Sequence, residues 1–425
     1  MLMPGQFVYL DALYGRVGFD EDMALLIGAP ILQRLRHVRL SNIDSIAMPG
    51  IANLSRYEHV LGVGHLAQQL SLLRSIPRLH NVAIGAAALL HDWAITAFGH
   101  LVEEGFQYAG VNFRHEDALH AIMTGTAAGS NVGGAELQIL SGRPTRLTEW
   151  AARSVGHDHA DELLEMIQLT IMGKGPYGPL ISGTMDLDNI DNVVRMAFHM
   201  GLHVDRQLPL RLARAITSVD NGELVFDMSA CPDIESWVEV RREVYTNLMP
   251  AQPDFSYKTM IVASTAFAIE AGDISVGDWH LTDQGFLCRL AESRSADVRD
   301  LVGRWTAGEA WESTPLWWLE GERPTHAEMR QFSRELSAAT GRPCFAYGIK
   351  DKRQRKLSFR LQGGGTKTFG ETPNSWLFGV TSSKRAPFSR QDLETVVSSA
   401  EARFDSPMGS RQIAGAEAAQ EPMLL

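Results

Sequence analysis

Apolar residues recur three and four positions apart through Ala24–Val38, Val60–Leu73, His115–Met123 and Asp188–Met200. Strand-like runs before residue 310 are few and short, so this period predicts a mainly α core with helices supplying its functional side chains. After about residue 320 the period changes. Short β-rich runs, Cys344–Ile349, Lys356–Leu361 and Trp376–Thr381, alternate with basic or Gly-rich turns such as Gly363–Gly365. The pattern predicts a small α+β C-terminal lobe over residues 320–405 behind a helical core over 1–310. Gly129–Gly134 and Gly173–Gly178 read as loops, and 406–425, rich in Ala, Gly, Gln and Glu, reads as a disordered tail. The basic run Lys350–Lys356 reads as a solvated turn, with phosphate or partner binding as the alternative.

Composition narrows the partners. The 425 residues are 45% hydrophobic and 21% charged, an ordinary globular balance with room for a large core. A net charge of −11 argues against nucleic acid as a partner. It does not argue against a small phosphorylated ligand, which a few placed cations and a metal can capture. No run reaches the about 18 apolar residues of a membrane span. Met1–Leu10 also lacks the basic start and long apolar run of a secretory signal. Cys231, Cys288 and Cys344 are too scattered for a disulfide framework or a cysteine zinc site, so the expected setting is a reducing cytoplasm.

The chemistry centres on His91-Asp92, which closes the apolar run Ala86–Leu90 and would present a nitrogen and an oxygen ligand at one point of a buried element. A His-Asp pair is common and alone specifies nothing. Its weight comes from Arg56-Tyr57-Glu58-His59 upstream, His100 and His115 downstream, and Asp186-Leu187-Asp188 farther on, opening a helix. Two imidazoles and two carboxylates suit a divalent ion that acts as a Lewis acid on a phosphoryl oxygen. Arg56 stands one helical turn before His59, where a guanidinium would clamp phosphate oxygens.

The order and wording of these pieces resemble the HD-domain phosphohydrolases, and within them the deoxynucleoside triphosphate triphosphohydrolases of the SAM-and-HD-domain type. The resemblance covers roughly residues 1 to 300. It extends to Ile31-Leu32-Gln33-Arg34-Leu35-Arg36, Met48-Pro49-Gly50, Leu61-Gly62-Val63-Gly64, Phe98-Gly99-His100 and Leu281-Thr282-Asp283. It implies that His59, His91, Asp92 and Asp188 ligate the metal and that Arg56 contacts phosphate. It places His100 and His115 near the scissile phosphate, with Glu103 orienting a histidine there and Tyr245 against the nucleotide sugar. His100, whose ordinary pKa lies near neutrality, is the expected general acid. The implied cofactor is a divalent ion, Fe, Mn, Co, Ni or Zn, with Mg as an added substrate-side ion, and the implied assembly is a homo-oligomer, a dimer or higher.

The sequence also departs from that family. Ile95 stands where an active-site histidine is usual, and Asn189 and Asn192 replace a lysine and a tyrosine on the helix after the fourth ligand. Asn189, Asn192 and Arg195 are then the substrate-facing candidates on that helix, with Arg195 compensating in part for the lost lysine. Leu40-Ser41 replaces the pair that reads base and deoxyribose. The expected reaction is hydrolysis of a nucleoside or deoxynucleoside triphosphate to nucleoside plus triphosphate. The alternatives are a phosphatase of mono- or diphosphates, a nucleotide-binding regulator without turnover, and a two-iron oxygenase that would need further ligands.

Overall fold

In the computed structural model, the described residues are 7–41, 48–115, 147–183, 185–250, 252–353, 356–370 and 374–408. Gly129–Gly134, most of the helix expected over His115–Met123, and the tail beyond 408 lie outside them. The chain opens with an antiparallel hairpin of β1 (Phe7–Asp11) and β2 (Gly15–Phe19), then turns into α1 (Glu21–Ile27), capped by the Asp20 carboxylate. One helix was expected over Ala24–Val38. It is instead broken at Gly28-Ala29, and Pro30, lacking an N–H to donate, opens a second short helix.

The site rests on four helices. Ser55 accepts from the Glu58 N–H and starts α2 (Arg56–Gln68), which packs on α3 (Arg78–Leu90). The short α4 (His100–Tyr108) follows the His91-Asp92 turn. Farther on, α5 (Leu187–His199) crosses α2, its start fixed by Asp186 accepting from the Asn189 N–H. These helices bury nearly continuous apolar faces, for example Ala86 to Leu90 on α3, so the polar residues among them are exceptions that must be paired.

A helix α6 (Cys231–Leu248) packs on α5, and α7 (Gln252–Glu270) packs on α4. Between α5 and α6 lies a second hairpin, β3 (Ile216–Asp220) and β4 (Glu223–Phe226). The region after residue 310 is mixed as expected. Strands β5 (Glu312–Ser313), β6 (Trp317–Glu320), β7 (Phe345–Lys350) and β10 (Ser375–Ser382) form one antiparallel sheet, covered by α8 (His326–Thr340) and α9 (Arg390–Phe404). Strand β8 (Leu357–Leu361), with its hairpin partner β9 (Thr366–Phe369), runs parallel to β4, so the two regions share a sheet as well as a core. Among the described residues no helix is long and apolar enough to cross a membrane.

Candidate metal centre and active pocket

His59 from α2, His91 at the end of α3 and Asp188 from α5 bring their ligand atoms within 4.8 Å of one another. The hydrogen bonds around them decide what the cluster can hold. The His91 Nδ1–H donates to the Ala88 carbonyl at 2.9 Å, which leaves Nε2 as the bare nitrogen, buried and without a hydrogen-bond partner. His59 Nδ1–H donates to Asp191 at 2.7 Å, yet its Nε2 faces the Asp188 Oδ1 at 2.9 Å. A neutral imidazole donating through Nδ1 would point a lone pair at a carboxylate, so a cation must lie between them, either a proton or a metal ion. Burial alone would lower the His59 pKa, but Asp188 and Asp191 outweigh it and raise it to about 9. A divalent ion taken by His59, His91 and Asp188 would replace that proton and also satisfy the orphaned His91 nitrogen.

Asp92 sits at the rim of this group, its Oδ2 3.6 Å from His91 Nε2 and bonded to the Arg56 guanidinium. Burial opposes its ionisation, but Arg56, His91 and His59 together hold its carboxyl far below the usual range.

Behind the ligands lies a buried polar network that motif reading did not locate. Asp191 orients His59 while also binding Arg195 Nε at 2.8 Å and the Tyr14 hydroxyl at 2.6 Å. Arg195 is fully buried and further held by Asp11 at 3.1 Å and Glu58 at 2.7 Å. The expectation that Arg195 meets substrate is therefore corrected: the N-terminal hairpin and α2 surround its guanidinium with carboxylates. Gly62 makes room for this network, because a Cβ there would lie 2.2 Å from Asp191 Oδ1.

Asn189 is likewise removed from the substrate-facing set, since its amide donates to both Asp186 oxygens at the helix start. Asn192 does line the pocket, with its buried Oδ1 unpaired among the described residues. Ile95 is wholly buried, its carbonyl accepting from Arg34, so it does not occupy a pocket position.

A second group of titratable side chains was expected beside these residues. Glu103 lies 2.9 Å from His115 Nδ1 and 3.6 Å from His100 Nδ1. Burial would raise its pKa, but the adjacent His100 and the hydrogen-bonded His115 hold it at about 2. These three also lie within 4.8 Å of one another, but the carboxylate pairs directly with the imidazoles and calls for no ion. His100 is 43% exposed toward the pocket, whereas His115 is buried behind it. The turn that delivers His100 puts Phe98 and Gly99 at positive φ and is pinned by Asp283, which accepts from the Phe98 N–H at 2.7 Å and from Arg39. This gives Leu281-Thr282-Asp283 a physical role that its sequence alone did not state.

The pocket, about 270 Å³, is lined by Arg56, Asp92, His100, Asp188 and Asn192, and by Leu40, Met196, Tyr245 and Leu248. Leu40, Met196 and Leu248 belong to one apolar cluster against which Tyr245 packs. Lys258 from α7, Arg323, Tyr347 and Lys352 from the region after residue 320, and Glu104 from α4 close another wall.

No family model matches the sequence. The chain is 31% identical over 121 residues to the deoxynucleoside triphosphate triphosphohydrolase SAMHD1 of Gallus gallus, covering 26% of this chain and 20% of that protein. An uncharacterized protein of Methanocaldococcus jannaschii is 23% identical over 277 residues, 64% of this chain and 52% of its own length. The chain thus spans between a fifth and about half of these curated relatives. Among solved structures, a phosphohydrolase from Bacteroides thetaiotaomicron superposes with a TM-score of 0.62 at 15% identity, covering 89% of this chain and 100% of the other. In sequence and in fold, the chain resembles the HD-type phosphohydrolases.

Proposed function

We propose that this chain is a metal-dependent phosphohydrolase that cleaves a nucleotide phosphate ester, releasing nucleoside plus triphosphate from a nucleoside or deoxynucleoside triphosphate. The observation that carries this reading is the cation-demanding contact of His59 Nε2 with Asp188 beside the orphaned His91 nitrogen, at the wall of a pocket that also holds Arg56 and His100. A divalent ion at His59, His91 and Asp188, with Asp92 at its rim, would supply Lewis acidity toward the phosphoryl oxygen and toward water.

The protein's own groups do the rest. Arg56, fixed by Asp92, directs its remaining N–H groups toward phosphate oxygens. The bond from phosphorus to the attacking water oxygen forms as the bond to the ester oxygen breaks; His100 gives its proton to that departing oxygen, and the proton released by the water recharges the His100 imidazole. Glu103 holds the Nδ1 side of the His100 ring, so Nε2 is the nitrogen left to carry the transferred proton. Leu40, Met196 and Leu248, with Tyr245, offer apolar surface to a base and sugar. Cytoplasmic location, on the scattered cysteines, and homo-oligomeric assembly, on the family resemblance, belong to the same proposal.

The test is to determine the metal bound to the purified protein and to incubate it with ribo- and deoxyribonucleoside mono-, di- and triphosphates, resolving the products by anion exchange. Nucleoside plus triphosphate is the expected result. Orthophosphate released from a shorter ester would replace it with a phosphatase. Binding without turnover under any of several metals would replace it with a regulator.

A further inference from the structure

The pocket is more cationic than its motif residues require. It is lined by five cationic side chains, Arg56, Lys258, Arg323, Lys350 and Lys352, against three carboxylates, Asp92, Asp188 and Glu104, in a chain whose net charge is −11. Asp92 is taken by Arg56, one of the five, Asp188 by His59, and Glu104 accepts from the Tyr347 hydroxyl, which leaves Lys258, Arg323, Lys350 and Lys352 as the cations in excess. Among the described residues, Lys258 and Lys352 form no ion pair of their own.

Lys352 sits in the basic run read from sequence as a solvated turn, and the described part of that run, through Arg353, is held by its neighbours. The Lys352 carbonyl accepts from Arg241, and the Asp351 N–H donates to Ser375 at 2.9 Å. Arg353 pairs with Asp351 and stacks 3.5 Å over the Trp318 ring. The Lys352 ammonium lies 5.4 Å over the ring of Tyr245, and Arg323 is docked on strand β7 by a bond to the Gly348 carbonyl at 3.2 Å. Burial, with Lys352 adding to it and Glu104 and Asp254 opposing, brings the Lys258 ammonium down to about 8, the mark of a crowded cation that a bound anion would relieve.

We infer that Lys258, Arg323 and Lys352 form a second phosphate-binding subsite, which takes the phosphates of a nucleoside di- or triphosphate beyond the one at the His59–His91–Asp188 centre. This rests on the phosphohydrolase reading of the pocket and deepens it. Asn189 supplies no charge to this pocket, because its side chain is neutral and its amide donates to the Asp186 carboxylate that caps the helix. The cations from α7 and from the region after residue 320 supply that charge from the other side of the chain's fold. An oligophosphate therefore fits this pocket better than a monoester, whose single phosphate would leave these cations without an anion.

The experiment is calorimetric titration of the full chain, in chelator, with inorganic tripolyphosphate and with orthophosphate, for wild type, Lys352→Ala, Lys352→Arg and Lys258→Gln. Lys352 is exposed, so its replacement leaves folding intact. Wild type should bind tripolyphosphate more tightly than orthophosphate. Lys352→Ala and Lys258→Gln should weaken tripolyphosphate by about tenfold, while Lys352→Arg retains it. No binding to wild type, or equal binding in all four proteins, would overturn the subsite. If tripolyphosphate binds as expected but no nucleotide is hydrolysed, the subsite stands and the enzymatic reading falls. If nucleotides are hydrolysed and the variants bind like wild type, the reverse holds.

Discussion

Replacing Asp191 by Asn isolates the network behind the metal ligands. Asp191 Oδ2 accepts from His59 Nδ1 at 2.7 Å and Arg195 Nε at 2.8 Å, while Oδ1 accepts from Arg195 Nη2 at 3.0 Å and the Tyr14 hydroxyl at 2.6 Å. An asparagine has one acceptor oxygen, so its NH2 must face a donor on one side or the other. Arg195 keeps Asp11 and Glu58, which places the stability loss at the low end of the range for a broken buried pair, about 3 kcal/mol. The loss specific to the metal follows from His59 no longer being held with Nδ1 as donor. Losing such a partner lowers metal affinity by roughly 10- to 100-fold, or about 1.4 to 2.7 kcal/mol. Chelator-competition titration gives the affinity, and urea unfolding with and without metal gives both quantities. The metal-induced gain in stability should shrink in the variant. A metal affinity within twofold of wild type, with stability alone reduced, would refute the orienting role.

Three further outcomes follow from the same geometry. Gly62→Ala puts a methyl 2.2 Å from Asp191 Oδ1 and 2.3 Å from Arg195 Nη2, so it should destabilise by about 1 to 3 kcal/mol in thermal or urea unfolding and weaken metal binding with it. His100→Gln should lower kcat by roughly 10²- to 10⁴-fold while metal content stays at the wild-type level, measured on whichever nucleotide is turned over. Glu103 has its pKa depressed from 4.5 to about 2, so its contribution, about 3 kcal/mol, is fully present above pH 4.5 and is lost as pH falls toward 2. Unfolding measured from pH 5 to pH 3 should show a shallower acid limb for Glu103→Gln than for wild type.

The helices, and the meeting of His59, His91 and Asp188, were legible because motif order and period carry them. His59 and Asp188, 129 positions apart, meet because a capped helix buried on most of its surface crosses a capped amphipathic one. The strands Phe345–Lys350, Leu357–Leu361 and Ser375–Ser382 fall close to the runs read from alternation. What sequence could not supply was the competition for each polar side chain. Arg195 is spaced correctly to face substrate, and only the fold brings Asp11 from the first hairpin to claim it. Asn189 reads as a lysine replacement until its amide is seen donating to the capping Asp186 carboxylate. Lys258 and Arg323 belong to no motif; they gain meaning only when α7 and the region after residue 320 close one wall of the pocket.

The central claim is a metal held by His59, His91 and Asp188 that is required for phosphate ester hydrolysis. It is tested most directly by measuring bound metal and nucleotide turnover side by side in wild type and His91→Ala. The variant gives up the Nδ1 bond to the Ala88 carbonyl along with the ligand nitrogen, so its fold is verified by circular dichroism before metal and turnover are read. The expected result is that the variant loses the metal and turnover together, with turnover in wild type abolished by chelation and restored by added divalent ion. A folded His91→Ala protein that hydrolyses nucleotides at the wild-type rate, or that keeps its full metal content, would contradict the account.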